Sequence, residues 1–264
     1  MKHLLSVVVN YHTDDLLEKF LESYDKYVAE DGRDLIVFDV EADPEKSFHH
    51  RWLKYSPSAW ISDSENIGFA AAVNHAFSTQ AGFVDDYINL AVFNADTEFI
   101  DPNCVDSCLD LLDSNDDIAV VGPLQYNAEG RITHAGIFGT NDKPMHRAWL
   151  SRDKSSHRYI ADCVSVSGSA YFTKRVVWDE MTRCPMYREA APDAEGAFLP
   201  TRLYHEETFY SYHVREHGYR VMYNGEAEMI HHHDSSPNPE RDIKIKESKE
   251  QFVAACQVHG MVHN

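Results

Sequence analysis

The stretch Val92-Phe93-Asn94-Ala95-Asp96-Thr97-Glu98-Phe99 predicts both the fold of this chain and the position of its site. It follows an apolar run at residues 87–91, so a buried strand ends abruptly in amide and carboxylate side chains. In an open α/β sheet, ligands bind at the carboxyl ends of the strands. Asp96 is therefore placed to hold a divalent cation, which can in turn hold a diphosphate. A simpler role for Asp96 is to cap a turn, since Asx turns are a common use of Asp and Asn.

The pattern before this stretch alternates between strand and helix. Residues 4–11 and 34–40 are β-branched apolar runs, which are typical of strands buried on both faces. The helix predicted between them has one apolar face, formed by Leu17, Phe20, Leu21, Tyr24 and Val28. Strand, helix and strand at this spacing predict parallel strands joined by a right-handed crossover. Further strands are predicted at residues 58–62 and 118–124.

Residue types at helix ends predict where three helices begin. Thr13 precedes the first helix as a capping residue. Gly68 forms a tight turn before a helix that begins near Phe69. Asp101 and Pro102 are expected at the N-cap and first positions of a third helix.

From about residue 125 the pattern changes. We predict, in order, a hairpin turn at 129–132, an irregular loop around Pro144 and His146, a β segment at 162–174, a long loop at 179–203, a helix from His205 to about His217, two short strands at 219–223 and 227–231, and an amphipathic helix at 242–258. A long loop in a compact domain is usually functional or mobile.

Composition is that of a soluble globular protein of one or two domains, with 264 residues, 43% hydrophobic and 25% charged. We find no apolar run of about 18 residues, so no membrane span is predicted. The start lacks a signal-peptide cleavage site. Five cysteines without a CxxC spacing suggest free thiols in a reducing compartment, with the cytoplasm as the default.

The formal net charge of −19 argues against bulk nucleic-acid binding, which needs basic surface to neutralise phosphates. A local basic patch is still compatible with this charge, because Lys244, Lys246 and Lys249 cluster near the C-terminus.

Two other polar groups have both a structural and a functional interpretation. Glu206 and Glu207 lie in the first turn of a predicted helix, where carboxylates suit the helix dipole. The segment His231-His232-His233 ends a predicted strand. It is either a solvated polar turn or a source of metal ligands, since neutral imidazole is a common one.

The order of these segments resembles a family 2 glycosyltransferase with the GT-A fold, of the rhamnosyltransferase-like branch. The resemblance runs from about Leu4 to His233. Its motifs are SVVVNYHTDDLLEKFLES, NIGFAAAVN, FNADTEF, EGRITHAGIFG, SVSGSAYFTKR, HEETFYSYHVREHGYRVMY and MIHHH. Each motif alone is weak, and the seven in the right order are strong. The resemblance implies an α/β fold with a Rossmann-like, mostly parallel sheet flanked by helices, and an acceptor-side subregion.

Three motifs depart from the family pattern. Asp39 is present at the end of the second strand, but its neighbours differ. The DxD motif is here Asn94-Ala95-Asp96, so one carboxylate is an amide. The family's acid pair is Glu206-Glu207, and its third acid is Phe209. These changes affect which donor the site would accept and whether it would require a metal ion.

The resemblance implies transfer of a sugar from a nucleotide-diphosphate donor to an acceptor hydroxyl, with inversion and without a covalent intermediate. Asp96 and His231 would hold Mn²⁺ or Mg²⁺, which suit carboxylate and phosphate oxygens. Glu207 would be the general base, with Glu206 in reserve. Asp39 would hold the base or ribose, Asn66 and Asn74 would lie along the donor, and Gly68, Asn94 and Gly168 complete the donor site.

We expect residues 1–124 to form the nucleotide-sugar half and residues 125–264 the acceptor-binding and catalytic half of one GT-A domain. The acceptor hydroxyl could belong to a glycan, a lipid-linked glycan, a protein or a modified base. Segment 140–205 is expected to choose it.

Two other functions stay open from the sequence. A nucleotidyltransferase shares a Rossmann-like half and a metal aspartate, but would want a Gly-rich phosphate loop that residues 9–13 do not provide. A non-catalytic sugar- or nucleotide-binding module could have kept the fold, as the substitutions at 94, 207 and 209 allow.

Overall fold

The structure is a computed structural model that describes residues 2–41, 53–55, 57–79, 86–233 and 240–261. Its helices are α1 (Asp14–Tyr27), α2 (Phe69–Thr79), α3 (Cys104–Asp113), α4 (Arg175–Arg183), α5 (Pro185–Ala190), α6 (Glu206–Glu216) and α7 (Arg241–Val258). Its strands are β1 (Lys2–Asn10), β2 (Arg33–Val40), β3 (Ala59–Asp63), β4 (Tyr87–Asn94), β5 (Thr97–Phe99), β6 (Ile118–Tyr126), β7 (Ile132–His134), β8 (Ile137–Thr140), β9 (Lys143–His146), β10 (Ile160–Cys163), β11 (Ala170–Lys174) and β12 (Arg220–His231).

Ten of the described strands form one sheet in the order β10-β12-β6-β11-β4-β1-β2-β3, with β5 added to β12 and β7 to β6. Strands β1 to β4, β6 and β12 run in the same direction, and β11 runs against its neighbours β4 and β6. The carboxyl ends of these six strands and the start of β11 therefore meet along one edge of the sheet. We call it the carboxyl edge.

The sheet is buried on both faces, which explains the apolar strand runs. Along β1, Leu5 and Val7 pack into one core with residues of α2, α4 and α6. Their neighbours Leu4 and Val8 point the other way, into a second core with residues of α1 and α3. Because side chains alternate across a strand, a strand between two helical layers must be apolar at every position. The predicted doubly covered α/β sheet is confirmed.

The first predicted βαβ unit is confirmed, with small shifts at helix starts. All five residues predicted on the inner face of α1 are buried. Thr13 is the N-cap of α1, but its side chain does not cap the helix. Helix α3 begins at Cys104 after an Asn103 N-cap, two residues later than predicted. Asp101 instead accepts a hydrogen bond from the backbone N–H of Asn103, so it forms an Asx turn.

Three predictions in the second half are wrong. The expected loop around Pro144 and His146 is a hairpin of β8 and β9. The expected loop at 179–203 contains the end of α4 and all of α5, because Pro185 is at a helix's first position, where a proline needs no N–H partner. The two strands expected at 219–231 are one strand, β12, with a register shift between Asn224 and Glu228.

Gly225 explains why β12 carries this irregularity. A Cβ at this position would lie 2.1 Å from the carbonyl oxygen of His157. The bulge therefore needs a glycine for close approach of two backbones, and the glycine does not break the strand.

All five cysteines are free and buried, as the free-thiol prediction expected. Among the described helices, none combines the length and apolar character that a membrane crossing requires.

Asn10 joins the end of β1 to the elements on either side of it. Its side chain is 1% exposed. Its Nδ2 donates to Asp14 Oδ1 and to Asp39 Oδ1, each at 2.9 Å. Its Oδ1 accepts from the Thr13 hydroxyl at 2.9 Å. One buried amide thus ties β1, β2 and the start of α1 together at the carboxyl edge.

Replacing this amide should destabilise the protein. Asn10→Ala leaves the buried hydroxyl of Thr13 without the acceptor that Asn10 Oδ1 provides, which costs about 1–3 kcal/mol of unfolding free energy. Urea denaturation measures the loss. Asn103→Ala changes an exposed N-cap whose side chain makes no capping hydrogen bond, so it should stay within about 0.5 kcal/mol of wild type. Equal stability of the two variants would contradict the role assigned to Asn10.

Candidate active site

A cavity of about 1200 Å³ opens at the carboxyl edge of the sheet. Its walls come from the ends of β1, β2, β4 and β12, the turn before β11, and the first turns of α2, α6 and α7. Eight of the predicted site residues line it: Asn66, Gly68, Asn94, Asp96, Gly168, Glu206, Glu207 and His231. The fold therefore brings together segments that are up to 165 residues apart in sequence.

Asp96 and His231 face each other across the cavity floor. The Nε2 of His231 lies 3.4 Å from Oδ1 of Asp96, and each side chain is 9% exposed. Backbone pairing fixes this approach, because β5 pairs with the end of β12 and sets His231 opposite Thr97. The N–H of His232 also donates to the carbonyl of Asp96, at 2.9 Å.

This pair fits a divalent cation. Two adjacent ligands of an octahedral ion at about 2.0–2.1 Å are roughly 3 Å apart, close to the separation of the carboxylate oxygen and the imidazole nitrogen. The ring of His233 lies 5.3 Å from that of His231, centroid to centroid. The pair offers two protein ligands, so a ligand with oxygens of its own would have to supply others.

Glu207 lies against the turn before β11. A Cβ at Gly168 would come within 3.3 Å of Glu207 Cγ, so the absence of a side chain at 168 makes room for the glutamate. The next residue, Ser169, accepts a hydrogen bond from the N–H of Asn94 through its carbonyl, at 3.1 Å. A short series of contacts thus links Glu207 to the Asn94–Asp96 turn.

Glu206 and Glu207 are neighbours with different surroundings. Glu206 is 5% exposed and lies 3.1 Å from the Thr201 hydroxyl. Burial and then the charge of Glu207 raise the pKa of Glu206 to about 8. Burial also raises the pKa of Glu207, which is half-buried and borders the cavity. Burial thus makes both carboxyls easier to protonate than an exposed glutamate, and the charge of Glu207 adds to this effect at Glu206.

Two solved structures share this architecture. One is a mannosyltransferase from Pyrobaculum calidifontis in complex with GDP-Man and Mn²⁺, with a TM-score of 0.62 and 14% identity over 97% of this chain and 64% of that one. The other is GalNAc-T7 with UDP, GalNAc and Mn²⁺, with a TM-score of 0.66 and 11% identity over 97% of this chain and 48% of that one. The chain spans less than two thirds of either structure. No protein-family model and no curated protein sequence matches it.

The chain has the GT-A fold. Within this GT-A sheet, two of the predicted donor residues do not line the cavity. Asp39 is half-buried and accepts the hydrogen bond from Asn10. Asn74 is 2% exposed; its Nδ2 donates to the carbonyl of Phe198 at 2.7 Å, and its Oδ1 accepts from the N–H of the same residue at 3.1 Å. Asn74 thus holds the segment before α6 and faces the core.

His134 is a residue of the GT-A cavity that the sequence did not single out. Its Nε2 accepts hydrogen bonds from the N–H groups of Gly136 and Ser167, each at 3.3 Å. Burial, and then His146 and His231, lower the pKa of His134 to about 3, so the ring is neutral. Its proton must then be on Nδ1, which is buried and has no partner among the described residues. His134 fixes the turn that carries Gly168.

The cavity wall opposite His134 carries groups of both charges. Tyr11 interacts with Glu41 and Asn66. Hydrogen bonds from His12 and Tyr11, and more weakly the charge of Lys244, lower the pKa of Glu41. From the sequence, Lys244 was only one member of a basic cluster. Its position near Glu41 depends on how α7 packs, which the sequence pattern does not predict.

Strained backbone surrounds the GT-A cavity. Seven non-glycine residues of the described chain have positive φ: His12, Glu41, Ala148, Leu150, Tyr204, His205 and His233. Four of them line the cavity, and the other three are sequence neighbours of lining residues. Such conformations cost about 1–3 kcal/mol each and cluster at functional sites. Tyr204 and His205 directly precede Glu206, so the strain falls where α6 presents its two carboxylates.

The buried carboxyl of Glu206 should make stability depend on pH. Its pKa is raised by folding, so the stability present below about pH 4.5 is lost as the pH rises to about 8. Glu206→Gln removes this loss. The variant should melt at a higher temperature than wild type above pH 8, with a small difference between the two at pH 5. Thermal melts across this range measure it. Glu216→Gln, an exposed site on the same helix, should show no such trend; a parallel response of both variants would contradict the assignment.

Proposed function

We propose that this protein is a metal-dependent glycosyltransferase that moves a sugar, of the hexose class, from a nucleotide-diphosphate donor to an acceptor hydroxyl. The observation that carries the proposal is one cavity at the carboxyl edge of a GT-A sheet. It holds the Asp96–His231 pair and, nearby, a glutamate with a raised pKa.

Asp96 and His231 would hold Mn²⁺ or Mg²⁺, with the donor diphosphate beside them. A cation bound there would supply Lewis-acid chemistry by neutralising charge on the leaving diphosphate. Asn94 stands where the family's motif has a second carboxylate. Its backbone N–H donates to the carbonyl of Ser169, which holds the turn before Asp96, and Asn94 itself lines the cavity. Oxygen atoms of the diphosphate and of water would be the remaining ligands of a cation held by two protein groups.

Glu207 is the general base. Its carboxylate accepts the proton of the acceptor hydroxyl while the hydroxyl oxygen bonds to the anomeric carbon of the donor. The bond from that carbon to the diphosphate breaks, and its electron pair leaves with the diphosphate. Direct displacement of this kind inverts the anomeric centre. A base must be ionised at the working pH yet basic enough to accept a proton, and a raised pKa suits a carboxylate to this role.

Glu206 supports this division of roles by staying protonated. Two adjacent charged carboxylates in a buried site would repel each other, so a proton on Glu206 lets Glu207 carry the charge. The tight packing of Glu207 against Gly168 then limits its side chain to one side of the cavity.

The nucleoside is placed on the side of Tyr11, Glu41 and Asn66. Tyr11 offers an aromatic ring to the base, and Glu41 offers a carboxylate to hydroxyls of the ribose. Asp39, predicted for that contact, acts in this proposal through Asn10, which it helps to hold at the end of β1. Asn74 likewise acts through the Phe198 backbone.

Donor binding should be visible as a thermal shift. We expect one of UDP, GDP, dTDP, CDP or ADP to raise the melting temperature, and Mn²⁺ to enlarge the rise. At a ligand concentration of about 100 Kd, the gain is about 2.7 kcal/mol. Asp96→Ala should lose the metal-dependent part. Glu98→Ala, which removes a nearby carboxylate paired with His232, should keep it. If the folded protein shows no thermal shift with any of these nucleotides, the assignment of the cavity as a donor site is wrong.

Turnover should require Glu207. Donor hydrolysis, followed as nucleoside-diphosphate release with Mn²⁺, should fall by about 10²–10⁴-fold in Glu207→Gln while the nucleotide thermal shift persists. Because the base must be ionised, the wild-type rate should rise with pH up to the pKa of Glu207. Glu206→Gln is the matched control and should keep most of the activity.

Three outcomes would contradict parts of this scheme. If Glu206→Gln loses activity and Glu207→Gln keeps it, Glu206 is the general base. Nucleotide binding without donor consumption by wild type would favour the non-catalytic module. Product of retained anomeric configuration, read by NMR, would exclude direct displacement.

A further inference from the structure

A second cluster of metal-ligating side chains lies at the far end of α6 from the active-site glutamates. Cys184 occupies the link between α4 and α5, and His213 and His217 lie one turn apart on α6. The cysteine sulfur and one ring nitrogen from each histidine all lie within 4.8 Å of one another. His213 is seven residues along the helix from Glu206, which separates the two sites by about 10 Å of helix axis.

The ring of His213 is buried and without a hydrogen-bond partner. It is 0% exposed, and neither of its ring nitrogens is hydrogen-bonded to any described residue. Buried polar side chains nearly always have a partner, so two orphaned nitrogens on one ring need an explanation.

His217 is oriented toward Cys184. Its Nδ1 donates to the carbonyl oxygen of His213 at 3.0 Å, which places the lone pair on Nε2. This Nε2 lies 3.8 Å from Cys184 Sγ. A second nitrogen held by a backbone carbonyl is the arrangement that metal-binding histidines commonly have, because it fixes the tautomer and the ring.

A third histidine borders the cluster from the end of α7. The ring of His259 lies 4.9 Å from that of His213, centroid to centroid. Its Nε2 is buried and has no partner within the described part of the chain. Three ligand atoms thus converge within 4.8 Å, and the imidazole of His259 lies against that of His213.

We propose that Cys184, His213 and His217 bind Zn²⁺, with His259 as the fourth ligand. Cysteine thiolate and histidine nitrogen are the ligands that Zn²⁺ takes in tetrahedral protein sites. Mn²⁺ and Mg²⁺ prefer oxygen ligands, so this site and the Asp96–His231 pair select different metals. The zinc would join the α4–α5 link, α6 and the end of α7. It would thereby stabilise the two helices whose first turns line the cavity.

The experiment uses the full chain carrying Asp96→Ala, so that the active-site pair does not contribute. Protein from zinc-supplemented cells is analysed for metal, then stripped with a chelator and titrated with Zn²⁺ and with Co²⁺. We expect one equivalent of zinc, a higher melting temperature on zinc addition, and a Co²⁺ spectrum with a thiolate charge-transfer band.

Cys184→Ser should abolish the charge-transfer band, and His217→Gln should weaken zinc binding by more than about 100-fold, since changes outside the ligand set already cost 10–100-fold. His217 is exposed, so its variant keeps the test valid if the Cys184 variant does not fold. Cys163→Ser is the matched control: its thiol bonds the Val221 carbonyl, which a hydroxyl can also do, and its spectrum should equal that of the parent.

A Co²⁺ spectrum without a thiolate band would overturn the proposal, as would equal zinc affinity in the parent and His217→Gln. In that case the cluster is a thiol–imidazole hydrogen bond beside two buried histidines. Neither result bears on nucleotide binding or turnover, so the zinc site and the proposed transferase activity can fail independently.

Discussion

Three backbone pairs between β5 and β12 determine the active site. They join Thr97 to His231, Glu98 to Ile230 and Phe99 to Met229, across at least 130 residues of sequence. Because side chains alternate along a strand, a slip of one residue would turn His231 away from Asp96 and toward the opposite face. The long strand β12 also pairs with β6, both before and after its bulge. Pairing within the core therefore sets the register of β12, and this register fixes the position of His231 in the cavity.

Two adjacent glutamates have different properties because only one of them is enclosed. Glu206 points into the protein against Thr201, and Glu207 points along the open side of Gly168. Desolvation raises the pKa of both carboxyls, and the charge of Glu207 raises that of Glu206 further. The first turn of α6 thus presents two carboxyls of raised pKa to the cavity.

The sequence predicts those features that depend on hydrophobic periodicity and on the polar residues at strand ends. The βαβ start and the Asn94–Asp96 turn follow from apolar runs that end in polar residues. The joint site of Asp96, Glu207 and His231 was expected from the family resemblance, and the three residues line one cavity. Residues whose roles depend on packing could not be predicted. Asn74 was expected along the donor, but its amide binds the Phe198 backbone. His134 gave no signal because one of the two N–H groups that donate to its ring belongs to Ser167, more than 30 residues later in the chain. Pro185 indicated a loop, whereas it begins a helix.

The strained residues around the cavity set a conflict between thermal stability and ligand binding. Glycine relieves the steric cost of a positive φ, so selection for thermal stability alone would favour glycine at positions such as Glu41, Tyr204 and His233. Each of these positions also contributes a side chain to the cavity. Variants selected for heat resistance are therefore expected to lose side chains that line the cavity. The variants with the highest melting temperatures would be the ones that bind ligand least well.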